Sequence, residues 1–210
     1  METNPKSKIT RNITGLLLCA GLSGRMGTTK ALMLHKGLPF AVLIIRKLLL
    51  VCRKVIVVVG HESEKVKTEI KKYLKQEEMH KVKFVLNENY EDGMFSSLQC
   101  GLKYISEANW MLYHFVDQPC ISNSFYEDFV LQLSNDVNWL QPSYNNKLGH
   151  PILFDKKVSS IILNQAKNRS LRDLSIDTSI KKQIWNCCYP EILQDIDTIE
   201  EFKRLKLALR

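Results

Sequence analysis

No C-x-x-C pair occurs among the six cysteines, at 19, 52, 100, 120, 187 and 188, so a zinc site of the usual spacing is excluded. Cys19, Cys52 and Cys100 lie in apolar segments and read as small buried hydrophobes; no disulfide is expected. The amino-terminal stretch "METNPKSKIT" lacks the apolar core of a secretory signal. The longest apolar stretch, Phe40 to Cys52, is interrupted by Arg46 and Lys47 and is too short to span a membrane. A cytoplasmic protein without membrane contact is the expectation. Neither of the common phosphate-loop signatures is present. Gly27 is followed by Thr28 and Thr29 before Lys30, which breaks the Walker A spacing. The glycines at 21, 24 and 27 run G-x-x-G-x-x-G, not G-x-G-x-x-G, and the first acid after them is Glu62.

What is present is ordinary in bulk. The 210 residues are 45% hydrophobic and 25% charged, enough for one substantial core. A basic tail, residues 1–12, precedes a single domain over 13–210 in this reading. The net charge of +8 comes from dispersed Lys and Arg, without a basic block or interleaved aromatics. That pattern fits a solvated face or attraction for a small polyanion, not nucleic acid.

Apolar runs and helical periods alternate along the chain. Strands are expected at 13–19, 54–60, 82–86 and 110–116. Helices are expected from Pro39 to about Cys52, over 62–76 (Val66, Ile70 and Leu74 on one face), over 95–105, and over 122–134 after Ser122 or Ser124. Doubly buried strands alternating with helices give an α/β layer fold with a parallel sheet. The second half is less regular. A strand at 139–144 leads into a hairpin turning at Asn145-Asn146, then helical segments at 155–165 and 169–175 and a strand at "QIWNCCY". A last helix begins after Thr198, with Glu201 completing a capping box.

Ligands of parallel sheets bind beyond the carboxyl ends of the strands. That rule gathers the loop at 20–30, the loop at 87–97 and the residues after the strand at 110–116. In "LLLCAGLSGRMGTTK", glycines let backbone N–H groups approach an anion, while Arg25 can fork two phosphate oxygens and Lys30 can act as a point charge. A tight turn with two solvated cations is the other reading. Asp117 directly after a buried strand is placed to hold Mg²⁺, or is an ordinary loop aspartate before a turn proline. Asp197 offers a second acid or a helix-dipole charge. Ser96 and Ser97 bind a nucleotide or cap a helix. His150 is an acceptor-binding group or a structural histidine; His61 follows a strand end and lines the cleft at most.

Taken together, these blocks resemble the MocA/MobA-like nucleotidyltransferases of molybdenum cofactor synthesis. "LCAGLSGRMGTTK" is similar to the family's L-x-A-G-x-S-x-R-M-G-x-x-K, and "GMFSSLQCGL" to G-M-x-S-S-L. "VDQP", "GHPILF" and "DIDTIEEF" resemble its D-Q-P, G-H-P-V-L-F and D-I-D-T-P-E-D motifs, in the same order over residues 16 to 202. The resemblance implies a Rossmann-like three-layer mixed sheet of the nucleotide-diphosphosugar transferase type. It implies Mg²⁺ (or Mn²⁺) on Asp117 and Asp197, and nucleotide contacts from Ala20, Gly21, Leu22, Ser23, Gly24, Arg25, Lys30, Ser96 and Ser97. Arg25, Lys30 and Asp117 would be catalytic, and His150 would face the acceptor. Ala20-Gly21 is the pairing of the cytidylyl branch, which implies CTP and molybdopterin as substrates and a hydroxylase-type molybdoenzyme as recipient. Two departures stand out: Cys19 replaces the family's usual alanine, and "AKNRSLRDL" replaces G-D-x-G-x-R, with Arg172 preserving the arginine. The alternatives are a same-fold enzyme using GTP or a sugar or alditol phosphate, and a non-catalytic cofactor chaperone.

Overall fold

The computed structural model describes residues 12–22, 28–105, 108–166 and 169–207. The tail of residues 1–12, apart from Asn12, falls outside them. A mixed sheet of eight strands forms the centre. Its parallel half consists of β1 (Ile13–Cys19), β4 (Lys54–Val59), β5 (Val82–Leu86) and β6 (Trp110–Phe115). β7 (Trp139–Tyr144), β8 (Lys147–Leu148), β9 (Ile152–Asp155) and β10 (Lys182–Asn186) complete it. The order is β10-β7-β9-β6-β1-β4-β5, with β8 on β7. β9 runs antiparallel to both β6 and β7, which makes the sheet mixed.

Period-2 geometry sends alternate side chains of the parallel strands to opposite faces. Leu17, Cys19, Val55, Val57 and Val59 join one core cluster. It is covered by α1 (Phe40–Val51), α2 (Ser63–Tyr73) and α5 (Asn123–Leu131). Leu16, Leu18, Ile56 and Val58 join the other, under α4 (Met94–Leu102), α6 (Lys156–Asn164) and α7 (Leu171–Ser175). Both faces of the inner strands therefore need apolar residues, which is why β1 and β4 read as nearly continuous apolar runs, whereas β5 at the sheet edge buries only Val85. Each fully buried Leu, Ile or Val contributes roughly 1.5–3 kcal/mol. Cys19 and Cys52 are buried in this core as expected, whereas Cys100 is only partly covered.

Boundaries differ from expectation in ways that have local causes. Pro39 stands one residue ahead of α1, with an extended backbone, instead of inside its first turn. α2 stops at Tyr73; Leu74 is buried but extended, and a separate turn, α3 (Gln76–Met79), follows. A two-stranded ribbon, β2 (Leu34–His35) and β3 (Leu38–Pro39), precedes α1 and is invisible to periodicity because each strand has two residues. The Asn145-Asn146 turn is present, with φ of 48° and 62°. The closing helix α8 (Ile199–Leu207) carries the expected capping box: Glu201 N donates to Thr198 Oγ1 at 3.2 Å, and Thr198 N to Glu201 Oε2 at 2.9 Å.

α4 approaches the sheet closely because Gly101 has no side chain. A Cβ there would lie 2.4 Å from Leu16 Cδ1 and 2.7 Å from Val58 Cγ2. Gly101→Ala is therefore expected to cost about 1–3 kcal/mol by overpacking, seen as a lower urea midpoint at unchanged slope. An unchanged midpoint would show that Leu16 repacks without cost.

Candidate active site

β1 and β6 are parallel neighbours, with Leu18 beside Phe115. Their carboxyl ends therefore release Ala20–Leu22 and Val116–Asp117 side by side. The described residues enclose a cleft of about 410 Å³ there. It is lined by Ala20, Gly21 and Leu22, by Tyr90, Gly93, Met94 and Ser97, and by Lys30, Asp117 and Asp197. Gly93 has φ of 95° and ψ of −177°, a conformation essentially reserved for glycine. This accounts for the glycine opening "GMFSSL".

Asp197 arrives from the far end of the chain, and two links place it. Ile196 N donates to Asp117 O at 2.9 Å. Gln118, 1% exposed, donates from Nε2 to Ile192 O at 3.1 Å and to Asp195 Oδ1 at 2.8 Å. Neither Gln118 nor Asp195 was singled out from the sequence. The signal was the position of each inside "VDQP" and "DIDT", next to an acid already chosen.

Lys30 begins a short 3-10 turn, Lys30–Leu32, and joins the two carboxylates. Its Nζ is 3.5 Å from Asp117 Oδ2 and forms an ion pair with Asp197 Oδ1. Burial pushes the Asp117 carboxyl up to about 6; Lys30 pulls it back, and Asp195 and Asp197 reinforce the rise. Asp117 Oδ1 is buried without a hydrogen-bond partner among the described residues. Asp195 is also raised, first by burial, against the bond from Gln118. A largely buried carboxylate with an oxygen left without a hydrogen bond favours positive charge beside it. Among the described residues no group of three His, Cys, Asp or Glu side chains could enclose a metal ion. Two carboxylates completed by substrate phosphate oxygens are nevertheless the usual donor set for magnesium, so Asp117 and Asp197 fit such an ion.

The remaining expected residues are distributed as follows. Ser23, Gly24 and Arg25 lie outside the described residues. Ser97 lines the cleft and its hydroxyl accepts from Asn87 Nδ2 at 3.0 Å. Ser96 does not line it. Its buried hydroxyl shares its one proton between the carbonyls of Asn89 and Gly93, at 2.9 and 2.8 Å, and accepts from Asn87 Nδ2 at 3.0 Å, bracing the 87–93 loop. His150 also stands back from the cleft. Its ring is 4.3 Å from that of Phe115, centroid to centroid, and burial lowers it to about 4, so it is neutral. Its carbonyl neighbour is a cis His150-Pro151 bond. His61 N donates to Ala20 O at 3.2 Å, at the foot of the glycine loop.

Behind Phe115, His114 is fully buried. Its Nδ1–H donates to Phe115 O at 2.6 Å, and Nε2 accepts from the Tyr126 hydroxyl at 2.6 Å. Burial lowers it from 6.5 to about 3. The unfolded chain thus takes up a proton below about 6.5 that the folded chain refuses until about 3. Its stabilising contribution is whole above pH 6.5 and is lost as the pH falls towards 3. Between pH 7 and pH 5 the native protein is expected to lose roughly 2 kcal/mol more stability than His114→Gln, measured by urea unfolding. Parallel losses in the two proteins would mean that His114 titrates normally when folded.

Known proteins are similar to this chain in sequence and in fold. The MobA-like NTP transferase domain matches residues 15–181. The chain is 25% identical over 188 residues to the molybdenum cofactor cytidylyltransferase of Escherichia coli, covering 89% of this chain and 92% of that protein. It is 28% identical over 171 residues to a probable molybdenum cofactor guanylyltransferase of Bacillus cereus, covering 80% and 81%. A Mycobacterium tuberculosis protein crystallised with manganese superposes with a TM-score of 0.69 at 18% identity, covering 92% of this chain and 97% of that one. With the matched domain spanning the glycine loop, the Asp117 strand and most of the sheet, this chain belongs to the MobA-like NTP transferase domain family.

Proposed function

We propose that this chain transfers a CMP group from CTP to the terminal phosphate of molybdopterin, yielding molybdopterin cytosine dinucleotide and pyrophosphate. The observation that carries the reading is the meeting of Lys30, Asp117 and Asp197 in a cleft that Ala20 and Gly21 also line. The cytidylyltransferase relative and the Ala20-Gly21 pair favour cytosine.

In this reading the triphosphate lies along Ala20–Leu22, whose backbone N–H groups meet its oxygens, and Arg25 is assigned to neutralising its charge. The base and ribose lie towards Tyr90, Gly93 and Ser97. An acceptor phosphate oxygen attacks the α-phosphorus in line; the bond to the bridging oxygen breaks, and diphosphate leaves with the electron pair. Phosphoryl-type transfer of this kind needs positioning and charge neutralisation and no protein nucleophile. Lys30 neutralises the charge growing on the leaving diphosphate. Asp117 and Asp197 would hold Mg²⁺ or Mn²⁺, which when bound adds Lewis-acid neutralisation of the phosphate oxygens. Ser96 acts by holding the 87–93 loop. His150 acts through Phe115 on the acceptor side.

A GTP-dependent reaction is the second reading, favoured by the guanylyltransferase relative. Pyrophosphate release from CTP, GTP, ATP and UTP with Mg²⁺, with and without molybdopterin, separates the two. Release from CTP that depends on molybdopterin is expected; release from GTP alone would replace this reading by the second. Asp117→Asn is expected to lower kcat/KM at least about 100-fold. Unchanged turnover in that variant would remove Asp117 from the chemistry.

A further inference from the structure

Lys30 is turned inward, towards two carboxylates. Its side chain is only 14% exposed, and its ammonium is engaged by the two carboxylates that the reading above assigns to a cation. Asp117 turns Oδ2 to Nζ while Oδ1 stays buried without a hydrogen-bond partner among the described residues. One positive charge is thus shared between two carboxylates, with a third, Asp195, held beside them by Gln118. An ammonium satisfies such a pair well enough to keep it together: it has three donors and a flexible stem. It also competes for the same oxygens with any dication.

The same Nζ borders the cleft in which a triphosphate would lie. Phosphate oxygens attract an ammonium, and they supply the remaining ligands that a magnesium-type ion needs beyond two carboxylates. Entry of the polyphosphate therefore changes both sides of the competition at once. It offers Lys30 a new partner and offers the cation a fuller shell.

We propose, resting on the site reading above, that Lys30 is a tethered stand-in for the divalent cation. It holds Asp117 and Asp197 in the nucleotide-free protein and passes to the phosphates when a nucleoside triphosphate enters. The free protein then has low affinity for the metal alone, and cation and nucleotide load together. Each strengthens the binding of the other by the same factor, as linkage requires. If Lys30 were instead a permanent strut, its removal would loosen the carboxylate pair and weaken metal binding.

The test is a titration of the nucleotide-free protein with Mn²⁺ alone, following free Mn²⁺ by electron paramagnetic resonance. Lys30→Met is expected to bind Mn²⁺ about tenfold tighter than the native protein, within the usual range of coupling between sites. Lys30→Arg, which keeps the charge, is expected to stay near the native value. Adding Asp117→Asn to Lys30→Met is expected to abolish the gain, which locates the ion at these carboxylates. Lys30→Gln replaces Lys30→Met should the latter fail to fold, as judged by its thermal transition. Binding in the uncharged variant that is no tighter than native overturns the proposal. So does a gain that survives Asp117→Asn. Because no nucleotide or acceptor is present, these outcomes are independent of the pyrophosphate assay: a protein that releases nothing from any NTP would sink the functional reading while the Mn²⁺ titration still decided the role of Lys30.

Discussion

A carboxylate taken out of water must find positive charge, and Asp117 is that group here. It follows the end of β6, a strand buried between two helical layers, and burial there is what raises its carboxyl. The ion pairs with Lys30 compensate part of the desolvation, and the elements around the cleft are arranged to deliver them. Lys30 comes from the loop after β1, the immediate neighbour of β6 in the sheet. Asp197 comes from the start of α8, which packs Phe202 against Phe40 at a centroid distance of 5.9 Å. The site is thus an electrostatic knot tied by segments that are remote in sequence.

The knot depends on less conspicuous polar groups. Gln118 spends its amide on the 192–195 segment and so turns one strand end into an anchor for the carboxy-terminal part of the chain. Asn87 and Ser96 do the same for the 87–93 loop, which brings Tyr90 and Gly93 to the cleft, with bonds that stay inside the protein. His114 ties the last residue of β6 to Tyr126 on α5. Each is a buried polar side chain bonded to a specific partner, which fixes backbone near the cleft, although Gln118 Oε1 is buried without one among the described residues. No helix among the described residues is long and apolar enough to cross a membrane.

β1 and β4 were legible because burial on both faces demands unbroken apolar runs; β7 also falls on the residues expected, and so does β5, although at the sheet edge it buries only Val85. The Asn145-Asn146 turn and the Thr198 capping box were legible because each is a local hydrogen-bonding pattern. The β2–β3 ribbon was not, since two-residue strands carry no period. The separation of Ser96 from Ser97 was not legible either. Adjacent residues on a helix point about 100° apart, and which one meets the cleft depends on how α4 is rotated against β1 and β4.

What the sequence determined by itself is the set of local elements and the chemistry at strand ends: a glycine loop closing on a cation, and an acid directly after a buried strand. Those follow from periodicity, from the turn preferences of Gly and Asn, and from caps, all of which act within a few residues. Only the tertiary structure decided which groups meet. Strand order set β1 beside β6, and so Lys30 beside Asp117. The β9 reversal and the Gln118 bridge brought residues 192–197 back to the same place. These are contacts between distant segments, and their free energy comes from burying the whole sheet at once, which no short stretch of the chain encodes.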